Sequence, residues 1–258
     1  MGLAVTTPEV FASHLEALGL REGMDVVVHS RLTAFGQLPQ GVQGVYQSIR
    51  DIVGPSATIA VPAYRLHTAG SEGFDRMSSP GERVGVLSDY VRQLPGAVRS
   101  ACPMHSHAAV GPKARLLETV TGAVSMGERS DFDLLHKAGF SALLLGCEFP
   151  ESASFIVHVQ AVLGNIPYRQ WFDLSRPQII NGHLEPFTCR YYGRVDRGTH
   201  VEDWNVGRDI LRAAGKLRAA PCPYGTSYAF SLADMFDLLT RDLRANPSAL
   251  LVQSETAA

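Results

Sequence analysis

The chain has 258 residues, 45% hydrophobic and 19% charged, with 24 Gly and 15 Pro, a balance that supports a buried core and excludes an intrinsically disordered chain. A formal net charge of −2, with no run of five like charges, gives no footprint for nucleic acid or an anionic membrane. No apolar run approaches the roughly 18 residues of a membrane span and the N-terminus lacks a signal-like pattern, so a cytoplasmic protein is expected.

Cys102, Cys147, Cys189 and Cys222 are scattered without a CxxC pair, which argues for reduced thiols rather than a zinc site or a disulfide scaffold. No internal repeat and no low-complexity tract is present, so the reading is one continuous domain over 1–258 with a hairpin in its C-terminal half.

In chain order, Thr6-Thr7-Pro8-Glu9 reads as a helix start continuing to Gly19. Met24 to His29 is a β-branched apolar run that fits a buried strand, with His29 and Ser30 at its carboxyl end. Val42 to Val53 has helical spacing and stops at Gly54-Pro55, and Thr58 to Val61 returns as strand. Tyr64 to Glu82 is a long loop rich in Gly, Ser and Pro that is expected to border the site. A helix over Val84–Gln93, extended stretches at Ala97–Ser100 and Ala108–Val110, and a helix over Pro112–Thr121 follow. Ala142–Leu145 is a central strand candidate and Ser154–Leu163 a helix. Gln178–Ile180, the Asn181-Gly182 turn and Glu185–Tyr192 read as an antiparallel hairpin, before closing helices at Val206–Ala214 and Leu232–Arg244. The alternation points to an α/β fold with a mixed sheet, and neither a dinucleotide nor a P-loop fingerprint is present.

Four groups of residues carry chemistry. His29-Ser30 sits where α/β strands face a ligand crevice. Arg99-Ser100 and Cys102-Pro103-Met104-His105-Ser106-His107 combine a cation, hydroxyls and imidazoles, with Arg99 able to hold a phosphate. Cys102, His105 and His107 do not match a zinc spacing, so no metal is expected. His158 is a lone imidazole in an apolar helical run, a pattern more common for a core histidine than for a catalyst. The acidic stretch Asp196–Asp203 could orient an imidazole.

Taken together, GMDVVVHSRLTAFG, FDRMSSPGERVGVLSDYVRQLPGAVRSACPMHSHAAVGPKA and LLLGCEFPESASFIVHVQAVLGNIPYR resemble successive motifs of the aminoglycoside 3-N-acetyltransferase family, also called the antibiotic N-acetyltransferase superfamily. The resemblance implies a three-layer α/β/α fold with a mixed central sheet, acetyl-CoA or another acyl-CoA as co-substrate, and direct transfer to an amine without an acyl-enzyme. It implies His158 as general base, with Asp196 as the candidate carboxylate to orient it and Glu202 behind. His29, Ser30, Arg99, Ser100 and Ser106 match residues lining the CoA channel, and Arg31 is assigned to a CoA or acceptor phosphate.

The sequence departs from the family pattern at Phe155, where a threonine is usual, at Ala161, where a glutamate is usual, at Arg31 for a serine and at Cys102 for a histidine. Ala161 removes an anionic group suited to a polycation and Phe155 adds apolar bulk, so an amino sugar, possibly nucleotide-linked, or another biosynthetic amine is expected as acceptor. The competing readings are a CoA-binding protein that has lost catalysis and a hydrolase using Cys102 with His105 or His158. A homodimer suits the size of the chain, although no motif requires one.

Overall fold

The computed structural model describes residues 2–66, 73–78, 81, 83–195 and 200–253. Thr7 caps the first helix, α1 (Pro8–Ala17), by accepting the Val10 N–H at 3.4 Å, with Pro8 in the first turn. The chain continues through β1 (Val26–Ser30), α2 (Gly41–Val53), β2 (Ile59–Pro62), α3 (Val86–Arg92), β3 (Val98–Arg99), β4 (His107–Val110), α4 (Asp131–Lys137) and β5 (Ser141–Leu145). The second half carries α5 (Ala153–Leu163), β6 (Arg169–Ser175), β7 (Gln178–Ile180), β8 (His183–Glu185), β9 (Thr188–Arg194) and β10 (His200–Glu202). It closes with α6 (Asn205–Ala213), β11 (Arg218–Cys222), β12 (Gly225–Ser231), α7 (Leu232–Ala245) and β13 (Leu251–Gln253).

Seven strands form one sheet in the order β11-β12-β5-β1-β2-β4-β3. β5, β1 and β2 are parallel, and the flanking pairs are antiparallel. The parallel strands are apolar on both faces because helices cover both. Val26, Val28, Ile59, Val61, Leu143 and Leu145 pack with Phe11, Leu15, Val45, Ile49, Val53 and Leu87 of α1–α3. The alternate residues Val27, Ala60, Ala142 and Leu144 pack with Ile156, Val159, Met235, Leu239 and Leu243 of α5 and α7. The result is the expected three-layer α/β/α architecture. Among the described residues, no helix is long and apolar enough to cross a membrane.

Two expectations are corrected. The Pro112–Thr121 segment is a 3₁₀ helix over Ala114–Thr119, held by i→i+3 bonds such as Leu116 N–H to Lys113 O, while the Lys113 N–H is diverted to the Thr58 hydroxyl at 2.8 Å. The Asn181-Gly182 turn does join a hairpin, with both residues at positive φ, but it pairs β7 only with β8. Pro186 ends that ladder, and β9 pairs instead with β6 from Arg169↔Arg194 to Ser175↔Thr188. The helix α4 and the strands β6 and β10–β13 were not read from the sequence, although β12 belongs to the central sheet.

Leu144 is fully buried in mid-β5. Leu144→Ala is expected to lower the free energy of urea unfolding by about 2–5 kcal/mol, whereas Val10→Ala on the exposed face of α1 changes it by about 0.5 kcal/mol or less.

Candidate active site

The carboxyl ends of the parallel strands meet at one edge of the sheet, and antiparallel β4 begins there, with His107 opposite Pro62. Tyr64, just past β2, gathers three imidazoles: its ring centroid lies 6.5 Å from His29, 5.0 Å from His105 and 5.3 Å from His107.

Asp131 ties this cluster to α4. Its carboxylate is fully buried, and Oδ2 accepts the Ser100 hydroxyl at 2.5 Å, the His107 backbone N–H at 2.7 Å and the His107 Nδ1–H at 3.1 Å. An ionised carboxylate only accepts, so the His107 proton resides on Nδ1 and the Nε2 lone pair is free to take the Tyr64 hydroxyl, 3.3 Å away. His107 and His29 line a small cavity closed by Phe132, Phe155 and Phe230. Burial, with His107 adding to it, pushes His29 down to about 3.

The residues matched to a CoA channel are mostly committed to internal bonds. Arg99 Nε donates to the Ser106 hydroxyl at 3.0 Å, its Nη2 donates to the Ala63 carbonyl, and the guanidinium lies 4.8 Å from the centre of the Phe74 ring. Burial, and then Arg92 and Arg65, lower Arg99 to about 10, so it stays charged at neutral pH. Ser106 also donates to the Ala63 carbonyl, at 2.8 Å. The Ser30 hydroxyl is buried without a partner, next to Gly85, whose φ of +84° is one glycine tolerates and whose added Cβ would come within 2.9 Å of the Ser30 carbonyl. Arg31 donates to the Gly146 carbonyl at 2.9 Å and pairs with Glu148 at 3.4 Å and Glu151 at 3.7 Å.

His158 is fully buried on α5, between Phe132, Phe155 and Phe236. Its Nδ1 accepts the Gly127 N–H at 3.1 Å, so the neutral ring carries its proton on Nε2, which has no partner. Desolvation drives its pKa down to about 3, only partly opposed by Asp133. Ligand atoms of Asp133, His136 and His158 lie within 4.8 Å of one another, but Lys137 already pairs with Asp133 at 2.9 Å and the free His158 nitrogen bears a proton. Ala161 packs at Gly127, where a Cβ built on the glycine would stand 3.3 Å from that of Ala161.

Glu202 does not orient His158. It pairs with Arg169 at 2.5 Å and accepts Gln160 Nε2 at 3.0 Å. Asp196 lies outside the described residues. Arg169 and Glu202 edge a cleft of about 920 Å³ walled by Phe172, Tyr191 and Trp204, with Arg176, Arg194 and His105 around it. The loop segment expected to border the site contributes Leu66.

Cys102 is buried and accepts the His105 N–H at 3.3 Å, and the Cys189 thiol and burial push its own thiol well above the ordinary value. A thiol held protonated and enclosed is unsuited to a hydrolase dyad.

The family model described as aminoglycoside 3-N-acetyltransferase matches residues 27–244. The chain belongs to that family. It is therefore an acyl-CoA-dependent N-acetyltransferase. It is 30% identical to aminoglycoside N(3)-acetyltransferase VIII of Streptomyces fradiae, over 80% of this chain and 82% of that one. It is 29% identical to aminoglycoside N(3)-acetyltransferase VII of Streptomyces paromomycinus, over 88% and 87%. Its fold matches aminoglycoside acetyltransferase AAC(3)-Xa with a TM-score of 0.83 at 25% identity, covering 95% of this chain and 94% of that one. It also matches AAC-IIIb in its binary complex with CoASH, with a TM-score of 0.81 at 23% identity, covering 94% and 97%.

Sequence reasoning passed over Tyr64, Asp131, Arg169 and the bond between His107 and Asp131. The one available signal was Ser130 followed three residues later by Asp133, a helix-start pattern that places Asp131 at the head of α4, where the Ser130 hydroxyl caps the Asp133 N–H.

Burial pushes His29, His105 and His158 down to about 3 in the folded chain, against an ordinary 6.5. Below about pH 6.5 the unfolded chain takes up protons that the folded one refuses, so stability is complete above that pH and falls as pH drops toward 3, by about 1.4 kcal/mol per pH unit per histidine. Urea unfolding between pH 7 and pH 5 should show that slope. His158→Asn, which retains an acceptor for Gly127, should remove one histidine's share, and an unchanged slope would contradict the assignment.

Proposed function

We propose that the chain transfers a short acyl group, acetyl by default, from acyl-CoA directly to the amino group of an amino sugar, aminoglycoside or related biosynthetic amine. The observation that carries this reading is family membership across residues 27–244, together with relatives named as N(3)-acetyltransferases that align with most of the chain. Direct transfer is supported by the chemistry of Cys102, whose buried and protonated thiol is a poor acyl carrier.

The charge of the cleft bears on the acceptor. Among the described residues its lining carries the guanidinium groups of Arg169, Arg176 and Arg194 and the single carboxylate of Glu202, itself paired with Arg169. Such a lining suits the phosphates of CoA or an acceptor bearing an anionic group, and it offers no set of carboxylates to a polycation. An amino sugar linked to a phosphate or nucleotide therefore fits better than an aminoglycoside.

Release of free CoA thiol from acetyl-CoA, followed with DTNB against aminoglycosides, plain amino sugars and nucleotide-linked amino sugars, tests this. Turnover is expected, with kcat/KM highest on the phosphate-bearing amines. A preference for aminoglycosides would overturn the acceptor assignment, and thermal stabilisation by CoA without turnover on any amine would favour a CoA-binding protein that has lost catalysis.

A further inference from the structure

One face of the β6–β9 ladder forms an aromatic floor to the cleft of about 920 Å³. Phe172 and Tyr191 stand directly opposite each other at the middle of the ladder, and with Leu174 and Gly193 they line the cleft, while Trp171 and Tyr192 turn to the other face and pack 5.0 Å apart. Gly193 keeps the floor low. It is not at positive φ, so its backbone makes no demand for glycine. A Cβ built on it would stand 3.0 Å from Phe172 Cδ2 and Cε2 and 3.0 Å from Tyr191 Cε1, so a side chain there would displace both rings. A glycine inside a strand weakens it and marks a surface kept clear for close approach. Beside Tyr191 the His105 ring lies nearly parallel, at 14° and 6.1 Å.

Cations flank this floor. Arg169 and Arg194 pair at one end of the ladder, and Arg176 follows β6 at the other. Glu202 is the one carboxylate among the described lining residues, and Arg169 neutralises it. We propose that the cleft is a nucleotide subsite for the acceptor, with a base stacked on Phe172 and Tyr191 and its phosphates held at the Arg194 end. The proposal rests on the acyl-transfer reading above for the fate of the ligand, but its binding is read without turnover.

The two halves of the site select the class of ligand together. A free phosphate engages the guanidinium groups and leaves the rings uncovered, and a neutral sugar covers a ring and leaves the cations unanswered. A nucleotide meets both, because every base has a flat face that stacks on an aromatic side chain and its phosphates suit the planar fork of arginine. The seven-residue ladder is about 20 Å long, so the Phe172–Tyr191 pair lies roughly 10 Å from either end. A ribose and an extended arginine side chain bridge that span. The Arg194 end is the one nearer α5: Gln160 of α5 donates to Glu202 at 3.0 Å, and Glu202 holds Arg169 beside Arg194. The guanidinium of Arg194 lies 5.8 Å from the centre of the Tyr168 ring, and Val157 brings α5 itself into the cleft wall. Phosphates at that end direct the sugar beyond them, and the amine it carries, toward α5.

Isothermal titration of the full chain with UDP, dTDP, GDP and CDP, each set against inorganic diphosphate, tests the subsite. At least one nucleotide should bind about tenfold or more tightly than diphosphate. Phe172→Leu keeps apolar bulk without the aromatic face, and Gly193→Val raises the floor with a residue that strands favour. Each should weaken nucleotide binding by about tenfold with the melting temperature and the affinity for CoA retained. Arg194→Gln should weaken it more than Arg176→Gln does, and the reverse order would overturn the orientation. Nucleotides that bind no better than diphosphate, or equally well to Phe172→Leu and Gly193→Val, would overturn the subsite. Displacement of the bound nucleotide by adenosine 3′,5′-bisphosphate, the nucleotide end of CoA, would assign the cleft to the acyl donor and overturn it as well. Nucleotide binding with these dependences but no turnover on any amine would sink the acyl-transfer reading and leave the subsite standing.

Discussion

A carboxylate sealed from water has to find its hydrogen-bond donors within the protein, and Asp131 finds them on two other elements. Ser100 comes from the end of β3, and the His107 backbone and ring come from the start of β4. One oxygen therefore fastens α4 to the sheet edge at the carboxyl ends of the parallel strands. Around that point the Arg99 guanidinium is turned inward onto Ser106 and Ala63, and Tyr64 is held against His107. A buried network of this kind specifies one arrangement, because each partner left alone would be an unsatisfied group at low dielectric.

The same logic separates two imidazoles that look alike in sequence. His107 meets an acceptor at Nδ1 and is left with a lone pair at Nε2. His158 meets a donor, the Gly127 amide, and is left with a proton there. Gly127 has φ of +87° and sits against Trp171 and Ala161, so the donor is fixed by packing at a position where a side chain would be strained. Where the family pattern has a glutamate, Ala161 supplies no charge to that side of α5. The two rings thus differ in the partner at Nδ1, a carboxylate oxygen for His107 and a backbone N–H for His158, which packs among Phe132, Phe155 and Phe236 with Asp133 nearby.

Much of the fold was legible because it rests on local pattern. Fully buried parallel strands must be apolar on both faces, which made Met24–His29, Thr58–Val61 and Ala142–Leu145 stand out. Gly225–Ser231 lies in the same sheet but reads as glycine, serine and aromatic residues without a clean period, so it escaped notice, as did the seven-residue α4 with its two buried acids. The site was less legible. The apolar run around His158 did foreshadow a buried ring, yet which nitrogen carries its proton depends on Gly127, 31 positions away. The pairing of His107 with Asp131 spans 24 positions and the Tyr64 contact 43, and no spacing rule connects them. Arg99, Ser100 and Ser106 were recognisable as motif residues, but only their geometry tells that their polar atoms bind the protein to itself.

The tautomers of the two histidines are the most direct test of this account. Long-range ¹H–¹⁵N correlation spectra of histidine-labelled protein, assigned with the His107→Asn and His158→Asn variants, should show His107 protonated at Nδ1 and His158 protonated at Nε2 and uncharged down to pH 5. A His158 ring that carries its proton on Nδ1 and titrates near neutrality would contradict it.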